Sequence, residues 1–197
     1  MCYFVGVNTF EESDLQLTFP ESWVVRKFDE TAAYHSVSGH GLKGVDFICL
    51  TPEGRLWLIE VKNYRRREER HRTRRRSPEA LGEHVGRKFV DTKRLIRIVN
   101  RAMRRNWWIA LQLFWYDLRK VNQPQSHYWF WAEAERRMSN PRKLVCLLWL
   151  ETPERNPDYE EATAEALEEW LEPGNELKLA ETQRTAGVPV TVTRKQT

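Results

Sequence analysis

Alternating and continuous runs of hydrophobic residues between positions 23 and 63 predict three β-strands. Residues 23–35, 45–50 and 56–63 are rich in β-branched and aromatic side chains, which favour extended backbone. The segment 36–44 carries glycines and is typical of a loop. The segment 51–55 has Pro and Gly where a tight reversal requires them, so the second and third strands are expected to form a β-hairpin.

The hydrophobic period then changes to that of a helix. From about residue 79 to 105, apolar residues recur on one helical face opposite Lys and Arg. The aromatic-rich stretch 107–131 predicts a helix followed by a strand or a second helix. The continuous apolar run 143–151 predicts a strand that is buried on both faces. A helix over 159–171 and a last strand over 188–193 complete the pattern.

These elements predict an α/β fold, in which a mixed central β-sheet is flanked by helices. We expect a single domain over residues 1–197, with a core at about 10–151 and a helix–strand extension over 152–197. No apolar run reaches the roughly 18 residues of a membrane span. The first residues lack a basic leader, and the three cysteines have no zinc-like spacing, so we expect a cytoplasmic protein without membrane contact.

Charge is distributed unevenly along the chain. Residues 65–106 hold 16 Lys/Arg and five acids, a net charge of +11, whereas residues 151–182 hold 11 acids and two basic residues, a net charge of −9. The basic block indicates a polyanionic partner, most simply nucleic acid. Two alternatives remain: the two segments contact each other, or the arginines form a solvated face.

Three charged residues interrupt the apolar strands of the predicted hairpin. Glu60 and Lys62 lie two residues apart and therefore point to the same face. A three-residue loop places Thr51 opposite Arg55 and hence Asp46 opposite Glu60, while a loop one residue different shifts the pairing by one. In either case two carboxylates and an ammonium group converge at the end of the hairpin remote from the turn.

Two adjacent carboxylates repel each other unless a proton or a cation intervenes. Asp46 and Glu60, with the backbone carbonyl of Val61, offer the hard oxygen ligands that Mg²⁺ accepts, and Mn²⁺ is expected to substitute. Lys62 would hold a water molecule or offset charge developing at a phosphate. The alternative is an ordinary ion pair on a half-exposed strand, but both strands are strongly apolar, and buried charges require compensation.

At these residues the chain resembles the PD-(D/E)XK, or restriction-endonuclease-like, nuclease superfamily. Asp46 matches the first acid of the family pattern, preceded by Val45 rather than Pro, and Glu60-Val61-Lys62 matches the Glu-x-Lys element. The resemblance covers about residues 23–106. It implies an αβββαβ core and Mg²⁺-dependent hydrolysis of phosphodiester bonds, usually in DNA, with Asp46, Glu60 and Lys62 as catalytic residues.

The resemblance also implies accessory residues. Family members often add an acid from a helix before the first strand, for which Glu12 or Asp14 on a short helix are candidates; the alternative is a cap or a solvated face. Gln112 and Tyr116 have the Gln-xxx-Tyr spacing of RecB-like members, although Tyr116 would also suit a core. Lys88 occupies the helix where the family often carries a Lys or Gln near the phosphate.

The densest basic run follows the Glu-x-Lys strand, where phosphate contacts would position nucleic acid. Its candidate nucleic-acid-binding residues are Arg65, Arg66, Arg67, Arg70, Arg72, Arg74, Arg75 and Arg76, together with Lys88. The aromatic residues of 107–131 could stack on single-stranded bases, but we expect Trp107, Phe114 and Trp115 to pack in the core. Rival interpretations are a catalytically silent nucleic-acid-binding or assembly subunit, and a basic surface that docks a protein partner or a second copy.

Overall fold

A computed structural model of the chain describes residues 8–31, 34, 41–65, 75–119 and 122–194. The strands are β1 (Thr9–Glu12), β2 (Leu15–Thr18), β3 (Val24–Lys27), β4 (Phe47–Leu50), β5 (Leu56–Asn63), β6 (Leu144–Glu151), β7 (Glu176–Ala180) and β8 (Thr191–Arg194). The α-helices are α1 (Pro78–Arg104), α2 (Trp107–Arg119), α3 (His127–Met138) and α4 (Pro157–Glu168), and 3₁₀ turns lie at Phe28–Glu30 and Pro141–Lys143.

The central sheet has five strands in the order β3-β4-β5-β6-β7. Strand β4 runs antiparallel to both β3 and β5, whereas β6 pairs parallel with both β5 and β7. Parallel neighbours need a long crossover, which α1 to α3 supply between β5 and β6. The predicted mixed sheet with helices is therefore confirmed at the level of the fold class.

The two faces of the central sheet are buried by different layers. On β5, Leu56 and Leu58 pack in a cluster with the helices, while Trp57, Ile59 and Val61 pack in a second cluster. This alternation follows from the two-residue period of a strand. The second cluster is completed by a smaller antiparallel sheet in the order β1-β2-β8. All eight residues of β6 are buried, as the continuous apolar run predicts.

The prediction of a short helix around Glu12 and Asp14 is wrong. This segment is a β-hairpin, in which Leu15 and Leu17 are buried and the residue between them is exposed. The two-residue alternation selects a strand because only that geometry buries both leucines on one face. Ser13 and Asp14 form the turn with positive φ angles of 53° and 65°.

Three other features differ from the sequence-based expectation: the end of the first central strand, the presence of β7 and the start of the last strand. The first central strand, expected over 23–35, ends at Lys27, because the next three residues form a 3₁₀ turn that buries Phe28. In the segment expected to be an extension, β7 adds a strand to the central sheet and β8 pairs with β2. The strand β7 was not predicted, and the strand expected over 188–193 begins at Thr191.

The expectation that the aromatic residues of α2 fill the core is also wrong. Trp107, Phe114 and Trp115 are 61%, 60% and 46% exposed, and Leu113 is the buried residue of this helix. The aromatic side chains that do fill the core come from the following helix, α3, where Phe130 and Trp131 are almost fully buried. In the described part of the chain, no helix has both the length and the apolar character needed to cross a membrane.

Candidate active site

The hairpin of β4 and β5 places Asp46 opposite Glu60. Phe47 pairs with Ile59 in the ladder, so the residue just before β4 faces the following residue of β5. The backbone N–H of Asp46 donates to the Ile59 carbonyl at 3.1 Å. The side chain is fixed as well, because the N–H of Val61 donates to Asp46 Oδ2 at 2.7 Å. The predicted register is the observed one along the ladder from Phe47–Ile59 to Leu50–Leu56, and Asp46 lies one residue beyond that ladder, beside Glu60.

Two ammonium groups meet the Glu60 carboxylate, which is completely buried. Lys62 Nζ donates to Glu60 Oε1 at 2.5 Å, and Lys88 Nζ donates to both Glu60 oxygens at 2.7 and 2.8 Å. Lys88 Nζ also lies 3.6 Å from Asp46 Oδ1. The site is not sealed, because the side chains of Asp46, Lys88 and Lys62 are 17%, 16% and 24% exposed. The structure thus brings together the four charged residues singled out from the sequence.

Burial and like charge shift the proton affinity of this cluster. Desolvation, followed by repulsion from Glu60, raises the pKa of Asp46 to about 7, although Lys88 and the Val61 N–H act in the opposite direction. Burial alone would lower the pKa of Lys88, but the charges of Glu60 and Asp46 outweigh it, and the pKa is raised. The Lys88 ammonium group therefore stays charged at neutral pH, where the Asp46 carboxylate is partly protonated.

The long helix α1 brings Lys88 to the strands through a buried threonine. The Thr92 hydroxyl donates to the Lys88 carbonyl at 2.7 Å and accepts from the Val45 N–H at 3.0 Å, so it ties the helix to the residue before Asp46. The approach to that strand also requires Gly44, because a Cβ there would lie 2.0 Å from ring atoms of Phe28. These contacts fix the helix relative to the hairpin.

Sequence reasoning missed His84, which lies on the side of α1 that faces the cluster. Desolvation lowers the pKa of His84 to about 4, and the charges of Arg76, Lys62, Lys88 and Lys43 act in the same direction. The imidazole is therefore neutral at physiological pH, within reach of several cations. The available signal was its spacing, since it precedes Lys88 by four residues and so shares its helical face.

The candidate accessory acids lie on the β1–β2 hairpin, Glu12 at the end of β1 and Asp14 in the turn. Glu12 Oε2 pairs with Lys27 Nζ at 3.3 Å, on the smaller-sheet side of the molecule. The turn that holds Asp14 approaches the end of β5, where Asn63 Nδ2 donates to the Ser13 carbonyl at 2.9 Å. That contact places the turn near the site end of the hairpin, but on the opposite face of the sheet from Glu60.

Gln112 and Tyr116 lie one helical turn apart on α2, as their spacing predicts, and the Gln112 side-chain amide donates to the Tyr116 hydroxyl at 2.5 Å. Tyr116 also packs against the helix-side core. No contact links either residue to Asp46 or Glu60 in the described ranges. Their assignment to the catalytic site remains an expectation from resemblance alone.

The described ends of the basic run are held by the scaffold. Arg65 Nε donates to the Thr152 carbonyl at 2.7 Å and lies 3.2 Å from Glu151 Oε2. Arg75 places its guanidinium carbon 3.4 Å from the centre of the Tyr159 ring. Arg76 is exposed, and its carbonyl accepts from the Tyr159 hydroxyl at 2.9 Å. The remaining candidates lie outside the described residues: Arg66, Arg67, Arg70, Arg72 and Arg74.

Few side chains in this cluster could bind a metal ion. The described residues contain no group of three or more His, Cys, Asp and Glu side chains that could share a metal. Mg²⁺ is commonly bound by one or two carboxylates, with water and phosphate oxygens completing its shell. Asp46 and Glu60 meet that requirement, and the three carboxylate oxygens that surround Lys88 Nζ already attract a cation. The residues therefore fit Mg²⁺, provided that the Lys88 ammonium moves aside.

Comparison with known proteins identifies no relative of this chain. No family model matches it, and no curated protein or solved structure is significantly similar to it. The functional interpretation consequently depends on the geometry of the site.

Proposed function

We propose that this protein is a Mg²⁺-dependent nuclease that hydrolyses phosphodiester bonds, with DNA as its substrate in the cytoplasm. The observation that carries the proposal is the opposition of Asp46 and Glu60 on adjacent strands, with Lys62 and Lys88 bonded to the buried carboxylate. Charged groups gathered at a partly open point of an apolar sheet are typical of functional sites, and these groups suit a cation and a phosphate.

Each side chain has a distinct role in this proposal. Asp46 and Glu60, with the Val61 carbonyl, would hold Mg²⁺, which polarises a phosphate and acidifies bound water. Lys62, whose ammonium lies beside Glu60, would orient the attacking water and offset negative charge on the phosphate oxygens. Hydrolysis adds water across one P–O bond: the hydroxide part joins phosphorus, and the leaving oxygen takes up a proton. Lys88 would move from the carboxylates toward the phosphate.

The order of elements supports the resemblance to the PD-(D/E)XK superfamily. Strands β3, β4 and β5, helix α1 and strand β6 occur in the order of the βββαβ part of that core, with α2 and α3 inserted between α1 and β6. The leading helix of the αβββαβ pattern has no counterpart between residues 8 and 23, where the β1–β2 hairpin lies. If an accessory acid is needed, the hairpin turn with Asp14 is one described element that approaches the same end of β5, on the opposite face of the sheet from Glu60.

The proposal is tested by incubating the chain with single-stranded and duplex DNA in Mg²⁺ or Mn²⁺. We expect cleavage by the wild type, and a loss of at least about 100-fold for Asp46→Asn, Glu60→Gln and Lys62→Met, as is usual when a group that stabilises the transition state is removed. Glu53→Gln, in the turn at the opposite end of the hairpin, is the matched carboxylate control and should cut at the wild-type rate. Absence of metal-dependent cleavage by the folded wild type would contradict the proposal.

One observation favours a second function, that of a catalytically silent nucleic-acid-binding or assembly subunit. Lys62 and Lys88 provide two positive charges for the two carboxyl groups, so the negative charge of the cluster is compensated without a metal. A silent subunit would bind DNA with a steep dependence on salt but would not cut it, and Mg²⁺ would leave its thermal stability unchanged.

A further inference from the structure

Helix α2 exposes a continuous stripe of large apolar side chains. The exposed fractions are 61% for Trp107, 63% for Trp108, 41% for Leu111, 60% for Phe114, 46% for Trp115 and 61% for Leu118. Positions 107, 111, 114, 115 and 118 follow the period of a single helical face. The indoles of Trp107 and Trp108 stack with their ring centres 3.6 Å apart. Four of the six exposed side chains are aromatic, which distinguishes this face from an ordinary aliphatic docking surface.

The rim of this stripe is positively charged. Arg101, Arg104 and Arg105 precede the helix, Arg119 ends it, and all four are exposed. Within the described residues, no carboxylate forms an ion pair with Arg101, Arg104 or Arg105. Helix α2 itself carries a single acid, Asp117. A partner for this surface must therefore combine flat apolar groups with negative charge.

A row of arginines connects this surface to the candidate active site. Arg87, Arg94, Arg97, Arg101 and Arg104 are spaced by three, four or seven residues on the solvent side of α1. Lys88, next to the first of them, contacts Glu60. The helical rise puts Lys88 about 24 Å along the axis from Arg104, where α2 follows. A flexible polyanion could thus follow exposed arginines from the aromatic stripe toward the carboxylates, and would compete with Glu83 for Arg87 and with Asp91 for Arg94.

We infer that the exposed aromatic face of α2 and the arginine row of α1 form a binding platform for single-stranded DNA. This inference rests on the proposed function and specifies its substrate. Unpaired bases offer π-faces that stack on Trp and Phe, and the phosphates between them attract Arg. A duplex keeps its bases stacked internally and would use the arginines alone. A second copy pairing symmetrically through α2 would bring arginine-rich rims together, which opposes association.

The platform is tested by fluorescence anisotropy with a labelled oligothymidylate of about 16 nucleotides, in EDTA so that no cleavage occurs. The full chain should bind it more tightly than a duplex of equal length. Phe114→Leu and Trp108→Leu keep an apolar side chain but remove the stacking surface, and each should weaken binding about tenfold. Arg101→Gln with Arg104→Gln should reduce the slope of log K against log salt by about 0.7 for each phosphate that an arginine no longer neutralises.

Tyr128→Leu is the matched control, because it removes an exposed ring from α3, outside the stripe on α2. It should bind the oligonucleotide as the wild type does. The inference is overturned if the ring variants bind single strands unchanged, or if duplex and single strand bind equally well. It is also overturned if Leu118→Ala and the ring variants equally suppress self-association or binding to phosphatidylglycerol vesicles, since the face would then dock a second copy or a lipid surface.

The binding and cleavage experiments test the platform and the nuclease activity separately, so one proposal can fail while the other stands. Glu60→Gln should keep the affinity for oligothymidylate while losing cleavage. If the wild type cuts DNA but the ring variants bind and cut single strands normally, the platform is wrong and the nuclease remains. If nothing is cut but binding depends on the rings, the platform remains and the nuclease is wrong.

Discussion

Apolar side chains are usually buried and charged side chains exposed. The end of β5 that carries Glu60 and the outer face of α2 depart from this rule in opposite ways. Glu60 is a charged side chain with no exposure, whereas Trp107 and Trp108 are large apolar side chains that are more than 60% exposed. Burying a charge is unfavourable unless partners replace its hydration, and exposing an indole forgoes the favourable free energy of removing it from water. Elsewhere in the central sheet all residues of β4 and β6 are buried, and all of them are apolar except Glu151 at the end of β6.

The difference lies in how each departure is compensated inside the molecule. Lys62, Lys88 and a backbone N–H surround the buried carboxylates, so the folded chain supplies most of what they need. On α2 the exposed rings stack on one another and on the basic rim, as when the Arg119 guanidinium carbon lies 5.2 Å from the Trp115 ring centre. We therefore expect substitutions at the carboxylates to change the stability of the fold. Substitutions on the exposed face of α2 should instead change the binding of a ligand.

The largest effect is expected from Lys88→Met at pH 8 in the absence of divalent cations. Removing this ammonium leaves Asp46 and Glu60 with only Lys62, so the free energy of unfolding should fall by about 3 kcal/mol, as for other broken buried ion pairs. Urea denaturation measures this loss. If the carboxylates bind Mg²⁺, millimolar Mg²⁺ should restore part of it, by about 2.7 kcal/mol at 100 times the dissociation constant.

Arg87→Met is the neighbouring control for that experiment. Arg87 pairs with Glu83, but their side chains are 66% and 53% exposed, so the loss should stay below about 1 kcal/mol. Equal losses for the two variants would mean that the buried cluster does not depend on Lys88.

A smaller effect is expected from pH. Because burial and Glu60 raise the pKa of Asp46 to about 7 from its usual 3.8, the folded state binds more protons than the unfolded state between these values. Stability should therefore decrease as pH rises from about 4 to 7 and then level off. Asp46→Asn cannot ionise and should lose this part of the slope, being more stable than the wild type at pH 8. Parallel curves of unfolding free energy against pH for the two proteins would contradict the shifted pKa.

The local patterns predicted the site better than its surroundings. Alternation and turn chemistry fixed the β4–β5 register, and with it the approach of Asp46 to Glu60, because both depend on residues close in sequence. Lys88 was a candidate only by resemblance, since its contact with Glu60 requires the packing of α1 on the sheet. His84 was missed for the same reason, because the charges that contribute to lowering its pKa are brought near it by the tertiary structure.

The errors in the fold have a common physical cause. The spacing of apolar residues shows which face of a helix is apolar, but not whether another element covers that face. The aromatic residues of α2 were therefore expected in the core, whereas the aromatic residues of α3 fill it. The segment of β7 has only five residues, alternating Leu with charged residues, and its pairing with β6 is a distant contact. In the N-terminal hairpin the alternation of Leu15 and Leu17 was available, but the expected family core favoured a helix there.

The smallest expected effect tests the exposed face of α2 for any structural role. Trp108→Ser should change the free energy of unfolding by less than about 0.5 kcal/mol, because the indole is 63% exposed and lies on the solvent side of the helix. Leu113→Ala on the same helix is the buried comparison and should destabilise by about 2 kcal/mol or more, since Leu113 is only 6% exposed. Chemical denaturation of both variants measures the difference. If Trp108→Ser destabilised the chain as much as Leu113→Ala, the aromatic stripe would be part of the folded core, and α2 would have no free face to offer a ligand.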